Sequence, residues 1–172
     1  MSSALSFDNL NNHKTLYVCD DLGLYQIAKS EEILATARYV ADELFADRIA
    51  CDNPVKVKQF LIGKLAGMEH EVVAFIFLDS QYRLIDYQEL FHGTINQSSV
   101  YPREVVKVAL RLNAAAVIMA HNHPSGNPTE STADRALTEH LVKSLQLLNI
   151  RLLDHLIVAG SRAVSFAEKG FL

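Results

Sequence analysis

The segment Val72–Leu78 is the feature that most constrains the fold, because all seven of its residues are apolar. It has the length of a β-strand and is flanked by the charged residues Glu71 and Asp79. A continuous apolar run of this length is typical of a central strand that is buried on both faces. We therefore expect other elements to cover both faces of the sheet that contains it.

Helix-like and strand-like segments alternate along the chain. Hydrophobic periodicity and start signals such as Pro54 and Pro102 predict the helices, and the turn at 79–81 predicts a hairpin. The predicted helices span residues 30–48, 54–66, 102–113 and 132–148, and the predicted strands span residues 72–78, 83–92, 114–120 and 151–158, with a further candidate at 163–166. Residues 15–28 are ambiguous, and the polar residues 1–14 are interpreted as a mobile tail. This alternation predicts the α/β class with a mixed sheet.

Length and charge limit the domain organisation and the kinds of partner that the sequence suggests. The 172 residues suit one domain, which we place at residues 50–172 after a tail and helix in residues 1–49. The net charge of −4 at pH 7 argues against a general nucleic-acid-binding surface, although it does not exclude a local basic patch. No apolar run approaches the ~18 residues of a transmembrane helix, and the first residues do not resemble a signal peptide. With Cys19 and Cys51 interpreted as reduced thiols, we expect a cytoplasmic protein without membrane contact.

Two histidines, His121 and His123, stand at the end of the predicted strand 114–120. Side chains at positions i and i+2 of an extended backbone point to the same side, so both imidazoles can face one point. Asp134 follows eleven residues after His123, near the start of a predicted helix, where its carboxylate could reach the same point. Two histidines and one aspartate leave a tetrahedral zinc ion one open position for water. The sequence therefore predicts one catalytic zinc ion per chain.

Two simpler interpretations of these residues are also open. The histidines could be polar residues that leave the core where a strand ends. Ser131 and Asp134 have the spacing of a helix capping box, which explains both residues without a metal, although capping and ligation could coexist. The combination of HxH, a constrained turn and Ser-x-x-Asp at a fixed distance favours the metal.

The full pattern resembles a known family. HxH, seven residues, Ser, two residues and Asp is similar to the JAMM (MPN-plus) metalloprotease pattern. Over roughly residues 50–172 the chain resembles the short, single-domain form of the RadC-type family in its motifs Gly93-Thr94-Ile95-Asn96, Val100-Tyr101-Pro102-Arg103-Glu104-Val105, Ala120-His121-Asn122-His123-Pro124-Ser125-Gly126 and Leu153-Asp154-His155-Leu156-Ile157-Val158. Longer members carry an N-terminal helix-hairpin-helix segment, which residues 1–49 do not resemble.

The resemblance implies both an architecture and a set of roles. The architecture is a mixed sheet flanked by helices, similar to the three-layer cytidine-deaminase-like folds. By the resemblance, the zinc ligands are His121, His123 and Asp134. Ser131 matches the serine that helps to hold the oxyanion or the water.

The resemblance also implies a glutamate upstream that acts as a general base. Glu69 is the first candidate because it stands just before the run 72–78, and Glu71 is the alternative two residues later. Such a carboxylate must lie within hydrogen-bonding reach of the attacking water. Asp154 or His155 could orient a zinc ligand from behind, and a hydrogen-bonded core pair explains these two residues equally well.

The implied activity is that of a zinc metallopeptidase that hydrolyses amide or isopeptide bonds of an unidentified peptide or protein. A zinc deaminase is disfavoured, because the sequence contains neither an H-x-E nor a P-C-x-x-C motif. The main alternative is a non-enzymatic module that binds a partner or is associated with DNA repair, although the net charge of −4 counts against DNA. The sequence specifies neither a substrate nor an oligomeric state.

Overall fold

The computed structural model describes residues 15–20, 22–46, 51, 53–93 and 100–172. The predicted tail at 1–14, the last two residues of the predicted first helix and residues 94–96 of one motif lie outside these ranges. The elements in chain order are β1 (Tyr17–Cys19), β2 (Tyr25–Ile27), α1 (Ser30–Ala46), α2 (Pro54–Leu65), β3 (Val72–Leu78), β4 (Leu84–His92), α3 (Pro102–Arg111), β5 (Ala116–Asn122), α4 (Thr132–Gln146), β6 (Arg151–Ala159) and β7 (Arg162–Ser165). None of the described helices has the length and apolar character needed to cross a membrane.

Five of the strands form one mixed sheet in the order β4-β3-β5-β6-β7. Strand β3 pairs antiparallel with both β4 and β5, while β5 and β6 run parallel to each other. Strand β7 then adds to β6 in the antiparallel direction. The predicted mixed sheet is therefore confirmed, with β3 and β5 in its interior. The ambiguous residues 15–28 contain a separate antiparallel pair, β1 and β2.

Helices cover both faces of this sheet, which confirms the predicted layered α/β fold. We call the side covered by α1 and α2 the first face and the side covered by α3 and α4 the second face. Alternate residues of β3 supply both cores, and all seven are buried. The first face includes Phe60, Leu61, Ala74, Ile76, Ile118 and Ala120. The second face includes Phe75, Phe77, Val105, Met119, Leu141 and Leu145.

Strand β5 lies two residues further along the chain than the apolar pattern predicts. Asn113 adopts a positive φ of 51°, and the Ala114 N–H donates to the Ala109 carbonyl, so this segment ends α3. At its other end, β5 continues through the polar residues His121 and Asn122. His121 lies opposite Val73 in β3 and Ile157 in β6. Pairing on both sides thus holds His121 in the sheet. Asn122 pairs with Val158 of β6, and its side-chain Oδ1 accepts from the Val72 N–H of β3.

Candidate metal centre

The two histidines of the HxH motif are presented by the end of β5. The extended backbone continues to His123, whose N–H donates to the Val158 carbonyl of β6 at 2.8 Å. Both imidazoles consequently point to the same side of the sheet, as the spacing predicts. Their Nε2 atoms lie 2.9 Å apart. His121 is buried, with 2% of its surface exposed, while the His123 ring reaches an open cavity.

Asp134 reaches these rings from the first turn of α4. Its Oδ1 lies 3.4 Å from His121 Nε2. Its Oδ2 instead accepts hydrogen bonds from the Ser131 backbone N–H and hydroxyl, each at 2.7 Å, and its own N–H donates to Ser131 Oγ at 3.1 Å. The predicted capping box is therefore present, but it occupies only one carboxylate oxygen. Capping and metal ligation are compatible here, because Oδ1 lies toward His121, while the capping oxygen Oδ2 lies 3.9 Å from His123 Nε2.

The second nitrogen of each imidazole is already engaged. His123 Nδ1 lies 2.7 Å from the Asn127 carbonyl oxygen, which can only accept, so Nδ1 carries the hydrogen. A neutral His123 then has a lone pair on Nε2. His121 Nδ1 lies 2.8 Å from His155 Nε2. In His121 and His123, Nε2 is thus the nitrogen that faces the shared point.

Burial favours the neutral, ligand-competent form of His121. Desolvation lowers the pKa of His121 to about 4; the His123 charge acts in the same direction, and the Asp134 carboxylate opposes both. A histidine must be neutral to bind a metal ion. His121 therefore meets this condition at pH 7 without a further change.

These three residues form a group that could hold a metal ion. Within the part of the chain that the structure describes, the ligand atoms of His121, His123 and Asp134 lie within 4.8 Å of one another. Two imidazole nitrogens and one carboxylate oxygen are a donor set that divalent transition metals accept. The converging lone pairs and negative charge favour a cation at this point, so the residues fit such a group.

The site opens into a cavity of about 430 Å³. Glu71 lines this cavity because it precedes β3 by one residue and stands two positions before Val73, which pairs with His121. Burial raises the pKa of Glu71; the nearby His123 opposes this rise, and Asp134 adds to it. Glu69, the first candidate for the general base, is exposed and is not among the described residues that line the cavity. The structure therefore brings Glu71 rather than Glu69 to the histidines.

The backbone around Glu71 is held from both sides by Asn122. This residue lies between the two histidines on β5, and its amide is buried. Its Oδ1 accepts from the Val72 N–H at 2.7 Å, and its Nδ2 donates to the His70 carbonyl at 2.9 Å. The strand that presents the histidines thus also fixes the position of the glutamate opposite them.

The loop between His123 and α4 is braced by charged side chains. Gly126 adopts a φ of 73°, which permits the turn that the sequence predicts there. Glu130 accepts from Arg135 at 2.7 Å and from Lys169. The hydrogen bond from Lys169, with further backbone and Arg135 contacts, lowers the pKa of Glu130 to about 2. These contacts connect the loop after His123 to α4 and to the C-terminal turn.

Of the two neighbours Asp154 and His155, only His155 contacts a predicted ligand. Asp154 instead accepts from Ser165 Oγ at 2.6 Å and from the Ala167 N–H at 3.0 Å, so it holds the C-terminal turn. Thr138 also joins the site, through a 2.7 Å contact with His155 Nδ1. The sequence patterns do not single out Thr138, although its position four residues after Asp134 places both on one helix face.

The fold and the site together define the class of this protein. The model of the RadC-like JAB domain family matches residues 51–171. The chain belongs to this family, which confirms the family resemblance of its motifs.

Named relatives agree with this assignment. A UPF0758 protein of Vibrio cholerae is 52% identical over 146 residues, which cover 85% of this chain and 87% of the relative. A second Vibrio cholerae UPF0758 protein is 49% identical over 144 residues, covering 84% and 91% of the two chains. A UPF0758 protein of Methylibium petroleiphilum is 51% identical over 151 residues, covering 88% of this chain and 68% of the relative. None of these names states an activity.

Proposed function

We propose that this protein is a zinc-dependent metallopeptidase that hydrolyses amide or isopeptide bonds. The observation that carries the proposal is the convergence of His121 Nε2, His123 Nε2 and the Asp134 carboxylate at the wall of an open cavity. Membership of the JAB domain family supports the same reading. Glu71 at the same cavity adds the acid–base group that such a reaction requires.

Zinc is the metal that suits these ligands best. Three protein ligands of the types His, His and Asp are typical of catalytic zinc sites, which keep a fourth position open. When bound, zinc would lower the pKa of a coordinated water toward ~7 and polarise a substrate carbonyl. One ion per chain follows from the single ligand group among the described residues.

Glu71 is the residue to which we assign the general base. Its carboxylate faces the same cavity as His123 and Asp134, and its raised pKa brings it closer to neutral pH. A base with such a pKa accepts a proton from water more readily and can later return it to the leaving amine. Asn122 holds the backbone on both sides of this carboxylate.

Ser131 is the residue to which we assign stabilisation of the oxyanion. It lines the cavity, and its hydroxyl donates to Asp134 Oδ2. Donation to a substrate oxygen requires only rotation of this hydroxyl, because the Ser131 N–H still holds Oδ2 at 2.7 Å. A donor fixed beside developing negative charge lowers the barrier of acyl transfer.

The metal part of the proposal is tested by elemental analysis of purified protein. We expect about one zinc per chain in the wild type and a loss of zinc in His123→Ala and Asp134→Ala. His140→Ala is the matched control, because His140 is exposed on α4 away from the cavity. Absence of zinc from the wild type, or zinc that survives both ligand changes, would contradict the proposal.

The hydrolytic part is tested by comparing Glu71→Gln with Glu69→Gln on a panel of linear and isopeptide-linked peptides. Loss of a general base lowers turnover by about 10²–10⁴-fold, so we expect this loss in Glu71→Gln with zinc retained. Glu69→Gln should keep wild-type turnover, because Glu69 is exposed. The reverse result would return the role to Glu69. Zinc binding without hydrolysis of any peptide would favour a partner-binding module instead.

A further inference from the structure

The strongest feature not used by the proposed reaction is a buried polar chain behind His121. His155 has no exposed surface, and Thr138 has 2% of its surface exposed. His155 Nε2 lies 2.8 Å from His121 Nδ1, and His155 Nδ1 lies 2.7 Å from Thr138 Oγ1. Thr138 Oγ1 also lies 2.6 Å from the backbone carbonyl of Asp134. These contacts join one predicted metal ligand to the backbone of another.

The Asp134 carbonyl at the end of this series of hydrogen bonds determines which atom donates in each of them. A carbonyl oxygen only accepts, so the Thr138 hydroxyl donates its single hydrogen to Asp134. Thr138 Oγ1 must then accept from His155 Nδ1–H. A neutral His155 consequently has its lone pair on Nε2, which accepts from His121 Nδ1–H. His121 is left with its lone pair on Nε2, the nitrogen that faces His123 and Asp134.

We propose that His155 and Thr138 are positioning residues that fix the tautomer and ring orientation of His121 for metal binding. The backbone carbonyl of Asp134 fixes the donor–acceptor direction of these hydrogen bonds. At the other end of the series, the carboxylate Oδ1 of Asp134 lies 3.4 Å from His121 Nε2. A single residue at the start of α4 therefore supplies a ligand and orients a second ligand from behind. This inference rests on the metal binding of the proposed function, but not on hydrolysis.

Packing around His155 excludes other partners for its nitrogens. The Phe166 ring lies against the His155 ring with centroids 4.4 Å apart, and Phe166 is fully buried. The Phe166 N–H also donates to the His155 carbonyl at 2.9 Å. With water kept away, the two ring nitrogens of His155 depend on His121 and Thr138. Outer partners of this kind typically change metal affinity by about 10–100-fold when they are lost.

The first test is the zinc affinity of paired variants, measured by competition with a chromophoric zinc chelator. Thr138→Val removes the hydroxyl at nearly constant shape, and Thr138→Ser restores it. His155→Leu removes the acceptor for His121 Nδ1–H, and His155→Gln retains one on a side chain of similar reach. We expect about 10–100-fold weaker zinc binding in His155→Leu and weaker binding in Thr138→Val. Thr138→Ser and His155→Gln should bind zinc with near wild-type affinity.

A matched control separates positioning from general damage to the core. Ser165→Ala also removes a buried hydroxyl, but Ser165 bonds Asp154 rather than the chain behind His121. We expect the zinc affinity of this variant to equal that of the wild type. Affinities are compared for folded protein only, as judged by circular dichroism. Equal zinc affinity in Thr138→Val, His155→Leu and wild type would overturn the inference, whereas a wild type that binds no zinc would overturn the proposed function itself.

The second test reads the tautomer directly in zinc-free protein. Long-range ¹H–¹⁵N correlation spectra of histidine-labelled protein show which nitrogen of His121 carries hydrogen. We expect hydrogen on Nδ1 in the wild type and in Thr138→Ser, and a mixture of both tautomers in Thr138→Val. Hydrogen on Nε2 of His121 in the wild type would overturn the inference even if zinc binds.

Discussion

The two faces of the sheet are built from the same kinds of elements but are used differently. On the first face, α2 covers the sheet with apolar side chains such as Phe60, Leu61 and Leu65. On the second face, Leu141 and Leu145 of α4 contribute to a similar core, but one turn earlier in the helix Thr138 contacts the buried imidazole of His155. A buried polar network makes its surroundings rigid and holds a defined geometry when every member is paired. Both faces therefore contribute an apolar core, and the end of the second face also carries the candidate metal centre.

The largest expected effect is on the first face. Phe60 is 2% exposed and packs edge-on against Tyr87, with ring centroids 5.2 Å apart. Phe60→Ala should lower the free energy of unfolding by about 3–5 kcal/mol, because it removes buried area and leaves a cavity. Urea denaturation of the zinc-free protein measures this loss. At low urea, the folded variant should still bind zinc as the wild type does.

A matched substitution on the second face, His123→Ala, should affect zinc binding rather than stability. His123→Ala removes a partly exposed ring at the cavity, so zinc binding is lost while the zinc-free protein keeps nearly its full stability. If Phe60→Ala abolished zinc binding in folded protein, or His123→Ala unfolded the zinc-free protein, the separation of the two faces would be wrong.

The second face should also give the zinc-free protein a specific pH dependence. The pKa of His121 is lowered to about 4 in the folded state, against ~6.5 for an unfolded histidine. Between these two pH values the unfolded protein binds more protons than the folded protein. The contribution of neutral His121 to the free energy of unfolding is therefore fully present above pH ~6.5 and is lost as the pH falls toward ~4. Protonation of His121 should lower the free energy of unfolding by about 3 kcal/mol. Burial lowers the pKa of His155 as well, which acts in the same direction.

This pH effect is measured by urea denaturation in the presence of a chelator at several pH values. His121→Asn is the control, because it cannot take up the proton and should show a flatter profile between pH 6.5 and 4. Identical pH profiles in wild type and variant would show that the burial of His121 does not control this dependence.

Sequence patterns predict the first face and the centre of the sheet well, but not the exact ends of the strands. The run 72–78 is apolar throughout, so its burial and its central place follow directly from composition. The apolar pattern ends β5 two residues too early because His121 and Asn122 are polar. His121 pairs with both β3 and β6, and Asn122 pairs with β6, which keeps both residues in the sheet. Local polarity and nonlocal pairing compete at such positions, and pairing prevails here.

In the candidate site, too, local patterns predict some features, while others depend on contacts between distant parts of the sequence. The convergence of His121, His123 and Asp134 is predictable, because strand and helix geometry fix their directions. The choice between Glu69 and Glu71 depends on where β3 begins relative to β5, which one sequence does not encode locally. Thr138 is not predictable for a similar reason, because its partner His155 lies on a different element.

Asn122 offers a smaller effect that links both faces. Its buried amide pairs with the Val72 N–H and the His70 carbonyl on either side of Glu71. Asn122→Ala should lower the free energy of unfolding by about 1–3 kcal/mol, because two backbone groups lose their partners. Zinc content should stay near one per chain, since no ligand is removed. Loss of zinc together with stability would mean that Asn122 supports β5 itself rather than the backbone around Glu71.

The smallest expected effect on stability comes from removing the helix caps of α2 and α4. It gives a direct comparison of the two faces, because the two caps are of similar strength. Asn53 Oδ1 caps α2 through the Val55 and Lys56 N–H groups at 2.9 and 3.4 Å, and Ser131 Oγ caps α4 through the Asp134 N–H. Asn53→Ala and Ser131→Ala should each cost about 1 kcal/mol of stability in thermal or urea denaturation. Only Ser131→Ala should also weaken zinc binding, because the lost hydroxyl no longer holds the ligand carboxylate of Asp134. Equal zinc affinities in the two variants would mean that the Ser131 N–H alone orients Asp134, and that the cap of α4 serves the helix as the cap of α2 does.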